Sequence, residues 1–156
     1  MKITCAKLSV SDNLQGIIEK KIYITGEVAY LKTKSGKELW FDKYGHLTHR
    51  KTHDSEETRE YYDDGTIKCV HKINQYKTFY NEKGLRIRKI RKNGVEEFWE
   101  YDSSNCLYRW YNTIGHERKY ICHTSGKVSA WYGNEPLLLW YKKTGRKPDS
   151  TFAGLI

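Results

Sequence analysis

Apolar and aromatic residues come in short runs along this chain, such as KTFY, EEFWEYD, LYRWY, ERKYICH and KVSAWY. Turn-forming positions separate the runs: Gly26, Gly36, Gly45, Asp54-Ser55, Gly65, Asn74-Gln75, Gly84, Asn93-Gly94, Ser104-Asn105, Gly115, Ser125-Gly126, Gly133-Asn134 and Gly145. Tyr, Trp, Phe, Val, Ile and Thr prefer a pleated, half-buried surface, and tight turns at intervals of about 8 to 11 residues join short strands into hairpins. The two prolines, Pro136 and Pro148, lie near the C-terminal end, so nothing interrupts strand pairing from Tyr23 to Tyr132. The pattern predicts an all-β chain, an elongated, twisted antiparallel meander of about a dozen short strands.

Every second turn carries a fuller signature: WFDKYGHL at 40–47, YYDDGTIK at 61–68, FYNEKGLRI at 79–87, EYDSSNCLY at 100–108 and a weaker YICHTSGKV at 120–128. An aromatic, an Asp or Asn, spacers, Gly and an apolar residue recur with a period of about 20, one hairpin per repeat. The Asp or Asn side chain caps the turn, Gly supplies positive φ, and the aromatics stack on those of the next hairpin. The whole chain, 1–156, is read as a single domain, with an N-terminal cap at 1–35, hairpin repeats at 36–132, and a C-terminal cap and tail at 133–156. The first segment includes a short helix after Ser11, whose hydroxyl caps it. PLLLWY at 136–141 suits a closing strand that protects the end of the array.

Residues Tyr61, Tyr62, Gly65, Ile67 and Lys68 match the Tyr-Tyr-x-x-Gly-x-Leu-Lys pattern, and the units resemble the MORN-variant repeats of YwqK-type antitoxin proteins. Tyr80, Asn81, Gly84 and Leu85, with Tyr101, Asp102 and Leu107, are similar to the YD repeats of Rhs proteins. The resemblance spans about residues 36 to 128 and departs where Asn105 replaces the turn glycine and where Cys122-His123 replaces an acidic turn. It implies a β-meander that binds other proteins, and it brings no catalytic residues.

Charge narrows the class of partner. The net charge is +9, with 14 Lys+Arg against 11 Asp+Glu in residues 1–78 and 14 against 8 in residues 79–156. Such a balance favours an anionic partner. Mean hydropathy is −0.83 while aromatics make up 14% of the chain, so burial is expected to rely on rings more than on aliphatic depth. No run approaches the roughly 18 apolar residues of a membrane helix, and MKITCAKLSV lacks the apolar stretch of a secretion signal. A soluble, cytoplasmic protein with no membrane association is predicted. Cys5, Cys69, Cys106 and Cys122 include no Cys-x-x-Cys pair and are expected as reduced thiols.

The sequence holds no Gly-x-Ser-x-Gly elbow, no phosphate-binding glycine loop and no His-Glu-x-x-His, so no catalytic residue is predicted. Cys122 and His123 are neighbours on a strand and point to opposite faces. Cys69 and His71 share a face, but a buried cysteine near an ordinary histidine accounts for them. His46 faces away from His49 and His53, and these two stand about 13 Å apart along a strand, too far for one ion. The acidic set Glu56, Glu57, Glu60, Asp63 and Asp64 reads as a solvated edge or turn. Neither metal nor cofactor is predicted.

Binding remains. A shallow sheet offers area without a deep pocket and suits a macromolecule. The expected function is noncatalytic inhibition of another macromolecule, a toxin, a nuclease or a defence complex, through a basic β-sheet face. The expected partner is an acidic protein surface or a nucleic-acid-binding protein complex, met by a monomer or an edge-paired dimer. The candidate binding residues are Arg86, Arg88, Lys89, Arg91, Lys92, Trp99, Tyr76, Trp140, Lys142, Lys143 and Arg146. Tyr44, Tyr76 and Trp140 break the aromatic period and are therefore favoured for a partner surface. The rival is direct nucleic-acid binding through the same cations together with Lys147, the rings serving as stacking platforms. A fragment of an Rhs-type toxin is a third reading.

LRIRKIRKNGVEEFWEYD at 85–102 concentrates the question, because its basic run is either a free arm or half of a hairpin. A two-residue Asn93-Gly94 turn predicts the hairpin, with Arg91 opposite Glu96, Lys89 opposite Phe98, Arg88 opposite Trp99, Ile87 opposite Glu100 and Arg86 opposite Tyr101. Ion pairs and arginines laid on rings then compensate most of the run, leaving Lys92 and one of Arg86 and Arg88.

Overall fold

The structure, a computed structural model, describes residues 2–122 and 128–133. The fold is all-β, as the turn spacing predicts. Thirteen strands follow in chain order: β1 (Ile3–Cys5), β2 (Ile17–Tyr23), β3 (Val28–Thr33), β4 (Glu38–Phe41), β5 (Leu47–Lys51), β6 (Glu56–Tyr61), β7 (Ile67–Lys72), β8 (Tyr76–Tyr80), β9 (Arg86–Arg91), β10 (Glu96–Tyr101), β11 (Leu107–Asn112), β12 (Glu117–Cys122) and β13 (Val128–Gly133). One helix, α1 (Val10–Leu14), precedes β2. Among the described residues no helix is long and apolar enough to cross a membrane. PLLLWY, Trp140, Lys142, Lys143, Arg146 and Lys147 lie outside the described residues.

One turn geometry recurs. In the β4–β5 hairpin Asp42 N–H donates to the His46 carbonyl at 2.9 Å and Gly45 N–H donates to the Asp42 carbonyl at 3.1 Å. The same two bonds close Tyr62–Thr66, Arg91–Val95, Asp102–Cys106 and Asn112–His116. This is a three-residue loop in which a type I turn is followed by a left-handed residue that forms a bulge. Gly94 fills that place with φ 81° and Asn105 with φ 62°, so Asn105 performs the glycine's role. In three of these loops an Asx residue at the first position adds a cap: Asp42 Oδ1 accepts from Tyr44 and His46 N–H, Asp102 Oδ1 from Ser104 and Cys106, and Asn112 Oδ1 from Ile114 and His116.

Contacts divide the chain into two units, residues 1–77 with 82–84, and residues 78–81 with 85–156. In the first, β1 through β7 pair antiparallel in succession. Register aligns Lys21, Tyr30, Trp40, His49, Thr58 and His71 in one row across the strands. Tyr30 and Trp40 rings lie 5.2 Å apart, and the His49 ring stacks on Trp40 at 4.2 Å. Two residues along, on the same face, Glu19, Lys32, Glu38, Lys51 and Glu56 alternate in charge from strand to strand. Residues 1–35, read from sequence as a cap, thus contribute β2 and β3 to these rows.

In the second unit β9 through β13 pair in the same manner. One row runs Arg88, Phe98, Tyr111, Glu117 and another Trp99, Trp110, Arg118, Gly133. A Cβ on Gly133 would collide with the Glu117 carbonyl oxygen, so β12 and β13 approach as closely as they do only with glycine there. Among the described residues the buried apolar ones, Ile17, Ala29, Cys69, Cys106 and Trp110, are few and scattered, and Glu57 and Glu97 are buried with them. Among the described residues, rings and paired charges stand in for a deep aliphatic core.

Three sequence expectations need correction. The helix begins at Val10 and its cap is Ser9, not Ser11: Asp12 N–H donates to Ser9 Oγ at 3.1 Å while Asp12 Oδ2 accepts from Ser9 N–H at 3.0 Å. A capping box needs an acceptor three residues on, which Asp12 provides for Ser9. Cys106 is disulfide-bonded, whereas Cys5 and Cys69 are free thiols. Which cysteines meet depends on strand pairing, and their spacing in the sequence does not reveal it. Glu57 is buried rather than solvated, because Arg59 Nε donates to its Oε1 at 2.7 Å and Arg50 Nη2 lies 3.7 Å from its Oε2.

The turn frame is testable at Gly94, where a methyl group would meet no atom within 4 Å, so only backbone strain opposes substitution. Gly94→Ala is expected to cost about 1 kcal/mol and Gly94→Asn less, because Asn tolerates the left-handed region. Urea-unfolding midpoints at unchanged slope measure both.

Candidate binding surface

The basic run 86–91 is strand β9, and β10 is its partner, so the free-arm reading of this stretch fails. The register differs from the expected one by a residue: Ile90 lies opposite Glu96, Lys89 opposite Glu97 and Arg88 opposite Phe98. The cause is the turn. Lys92, Asn93 and Gly94 form the three-residue loop, closed by Arg91 N–H to Val95 O at 2.9 Å, in place of a two-residue Asn-Gly turn.

That shift redistributes the ion pairs. Arg91 forms a bidentate pair with Glu97, Nε to Oε2 at 2.9 Å and Nη2 to Oε1 at 3.0 Å. Glu96, expected on Arg91, instead accepts from Arg88 Nε at 2.8 Å, with Arg88 Nη2 at 2.7 Å from the same oxygen. The Glu97 side chain is only 9% exposed and that of Glu96 27%. The two glutamates that follow the loop alternate between faces and so hold different arginines.

Rings hold the arginines as well. Arg86 Cζ lies 5.2 Å from the centre of Trp99, and Arg88 lies 5.5 Å from Phe79 and 5.9 Å from Phe98. The expected Arg88–Trp99 contact is therefore made by Arg86. Tyr101, expected opposite Arg86, donates its hydroxyl to the Arg86 carbonyl at 2.8 Å. The pattern continues on β11 and β12, where Arg109 lies 4.4 Å over Tyr111, donates from Nε to Glu117 Oε1 at 2.7 Å and reaches Glu100 with Nη1 at 3.4 Å. Sequence reasoning missed Arg109, Tyr111 and Phe98, although Arg-x-Tyr in LYRWY puts a cation and a ring on one strand face.

Of the predicted binding residues, Arg86, Arg88, Lys89, Arg91, Lys92 and Trp99 come together on one hairpin, while Tyr76 belongs to the first unit. Burial pushes the Lys89 pKa down, with Arg91 and Arg86 adding to it and Glu97 opposing. The hydrogen bond to Glu97 chiefly raises that of Arg91, and the bond to Glu117 chiefly raises that of Arg109. Arg86 and Lys92 are exposed and make no ion pair among the described residues. Elsewhere, burial pushes the Cys69 thiol up, away from the nucleophilic thiolate. Of the histidines, His49 Nε2 lies 2.8 Å from Glu56 and His46 Nδ1 lies 3.0 Å from Asp42.

No protein-family model matches the sequence, and no curated protein matches it.

Glu97→Gln is expected to cost about 1 to 2 kcal/mol, the worth of a charged hydrogen-bond pair reduced by the exposure of Arg91, and Glu96→Gln about half a kcal/mol or less. The two-residue-turn register reverses the order, because there Glu96 faces Arg91. Paired urea titrations of the two variants distinguish them.

Proposed function

We propose that this chain is a noncatalytic binding protein that blocks another macromolecule, a toxin, nuclease or defence complex, of the kind its resemblance to MORN-variant repeats implies. The basic face of β9 to β12 meets an acidic protein surface or a nucleic-acid-binding protein complex. The observation that supports this reading is the double hold on Arg88 and Arg109, each laid over a ring and bonded to a glutamate of a neighbouring strand. A guanidinium has five N–H donors, and Arg88 uses only some of them on Glu96, so a carboxylate of a partner finds a pre-oriented fork. Ordering these side chains is already done before binding.

The same pairing weakens the nucleic-acid alternative. A polyphosphate gains from releasing counterions at unpaired cations, and here glutamates on the same sheet already neutralise Arg88, Arg91 and Arg109. Arg86 and Lys92 are what remains on the hairpin. A cytoplasmic place of action belongs to the same proposal and expects Cys106 as a thiol in the cell, because a reducing cytosol opens a disulfide such as the one Cys106 makes here. The redox state of Cys106 in protein isolated from its native cell decides this point.

The protein is expected to give no mobility shift with DNA or RNA even at low salt, and to retain a protein partner from a lysate of its native cell. The double variant Arg86→Glu/Lys92→Glu is expected to lose that partner, with an unchanged unfolding midpoint. A shift with nucleic acid whose affinity falls steeply as salt rises overturns the reading in favour of direct nucleic-acid binding.

A further inference from the structure

A modification site lies in the loop of the β9–β10 hairpin, and it stands whether or not that hairpin meets a partner. Of the asparagines in the sequence, Asn93 alone precedes a glycine. Lys92, Asn93 and Gly94 are all exposed. Asn93 Oδ1 accepts from Val95 N–H at 3.2 Å, whereas its Nδ2 makes no hydrogen bond among the described residues. The side-chain amide is thus held by its oxygen, with its nitrogen free to leave. The Val95 N–H points at the oxygen on which negative charge develops when Cγ is attacked. Gly94 has no side chain to shield its backbone nitrogen, and no atom lies within 4 Å of where one would stand. The adjacent cation of Lys92 favours the deprotonated, nucleophilic form of that nitrogen. One contact opposes attack, because Gly94 N–H donates to the Arg91 carbonyl at 2.9 Å. It sits in an exposed loop, where local opening costs little free energy.

We propose that Asn93 is a self-modifying site, converted by its own backbone to aspartate and isoaspartate. The Gly94 nitrogen gives up its proton and bonds to Cγ, the Cγ–Nδ2 bond breaks, and Nδ2 leaves with that proton as ammonia. The cyclic imide that results is opened by water. Hydrolysis at Cγ gives aspartate, and hydrolysis at the main-chain carbonyl gives isoaspartate, whose chain continues through Cγ. One water enters and one ammonia leaves, with no change of oxidation state. Either product puts a carboxylate beside Lys92 in place of a neutral amide, so the hairpin loses basic character as the protein ages. Isoaspartate also adds a carbon to the main chain, and the three-residue loop then no longer fits the Arg91–Val95 closure.

The β6–β7 loop supplies the contrast. Asp64 and Gly65 hold the same two places there, and Thr66 N–H donates to Asp64 Oδ1 at 2.8 Å as Val95 N–H does to Asn93. That bond chiefly, with one from the Thr66 hydroxyl, holds the Asp64 carboxyl below its ordinary value. An ionised carboxylate repels an anionic nucleophile and has no ammonia to expel. Gly65 is crowded besides, with His46 Nε2 3.0 Å from where its side chain would stand. The same turn is therefore reactive at Asn93 and inert at Asp64.

The test is peptide mapping by mass spectrometry of the full chain, incubated at physiological temperature and neutral to mildly alkaline pH, with isoaspartate read by an isoaspartyl methyltransferase. Asn93 is expected to gain the mass of an amide-to-acid exchange about tenfold or more faster than any other asparagine, and faster as pH rises. Isoaspartyl signal is expected in the Asn93 peptide and not in the Asp64 peptide. The folded rate is expected to stay within about a hundredfold of that in the same chain unfolded in urea, the ratio set by a loop opening of about 2.7 kcal/mol. Conversion at another asparagine first, a comparable isoaspartyl signal at Asp64, or a folded rate below that range overturns the assignment. The Asn93→Asp variant is expected to keep the parent's unfolding midpoint, and the separated isoaspartyl form to unfold at lower urea. An isoaspartyl form with an unchanged midpoint overturns the effect on the loop.

Discussion

The lateral contact between side chains on adjacent strands is the interaction on which both units depend. Few aliphatic residues are buried among those described, so a strand cannot gain much from material above or below it. It gains from its neighbours. Glu19, Lys32, Glu38, Lys51 and Glu56 each face an opposite charge on the next strand, and Tyr30, Trp40 and His49 each face another ring. A cross-strand pair contributes about 0.2 to 1 kcal/mol, so no single pair decides stability and the row as a whole does. Nearest-neighbour terms that add along an array are the energetics of repeat proteins.

Such a system is forgiving about residue identity and strict about register. A slip of one residue sends every side chain to the other face, which would break the charge row and the ring row together. The turns supply the strictness. The three-residue loop with a left-handed fourth position fixes which residues face each other, and the Asx cap at its first position holds the loop in that form. Fold and register are therefore specified by the same few residues in three of the hairpins, at Asp42 and Gly45, Asp102 and Asn105, Asn112 and Gly115.

This explains what was legible in the sequence. Turn positions were visible because Gly and Asn supply a backbone conformation other residues avoid, and strands were visible between them. The register of β9 and β10 was misread because Asn93-Gly94, taken alone, looks like a complete two-residue turn. Aligned on Asp42-Lys43-Tyr44-Gly45, the same segment becomes Arg91-Lys92-Asn93-Gly94, with arginine where Asp42, Asp102 and Asn112 stand in three other loops. Pairwise chemistry was less legible than architecture. Glu57 and Glu97 look like surface residues until their arginines are placed, and the partner of a cysteine is a property of the fold. Of the candidate surface, the cations of β9 and Trp99 were found, whereas Arg109 and Tyr111 depended on the register of two further hairpins.

Sideways pairing also determines what is left for a partner. Where each charge is matched by its neighbour, only the mismatches at row ends and turns face outward uncommitted. In the first unit Glu60 and Asp63 are exposed carboxylates with no hydrogen bond or ion pair among the described residues. In the second the uncommitted groups are guanidinium donors, on Arg86 and on the unused edges of Arg88 and Arg109. A net charge of +9 conceals this difference, because it sums over residues already paired. What each unit leaves uncommitted is therefore set by which cross-strand pairs its register makes, and net charge does not report it.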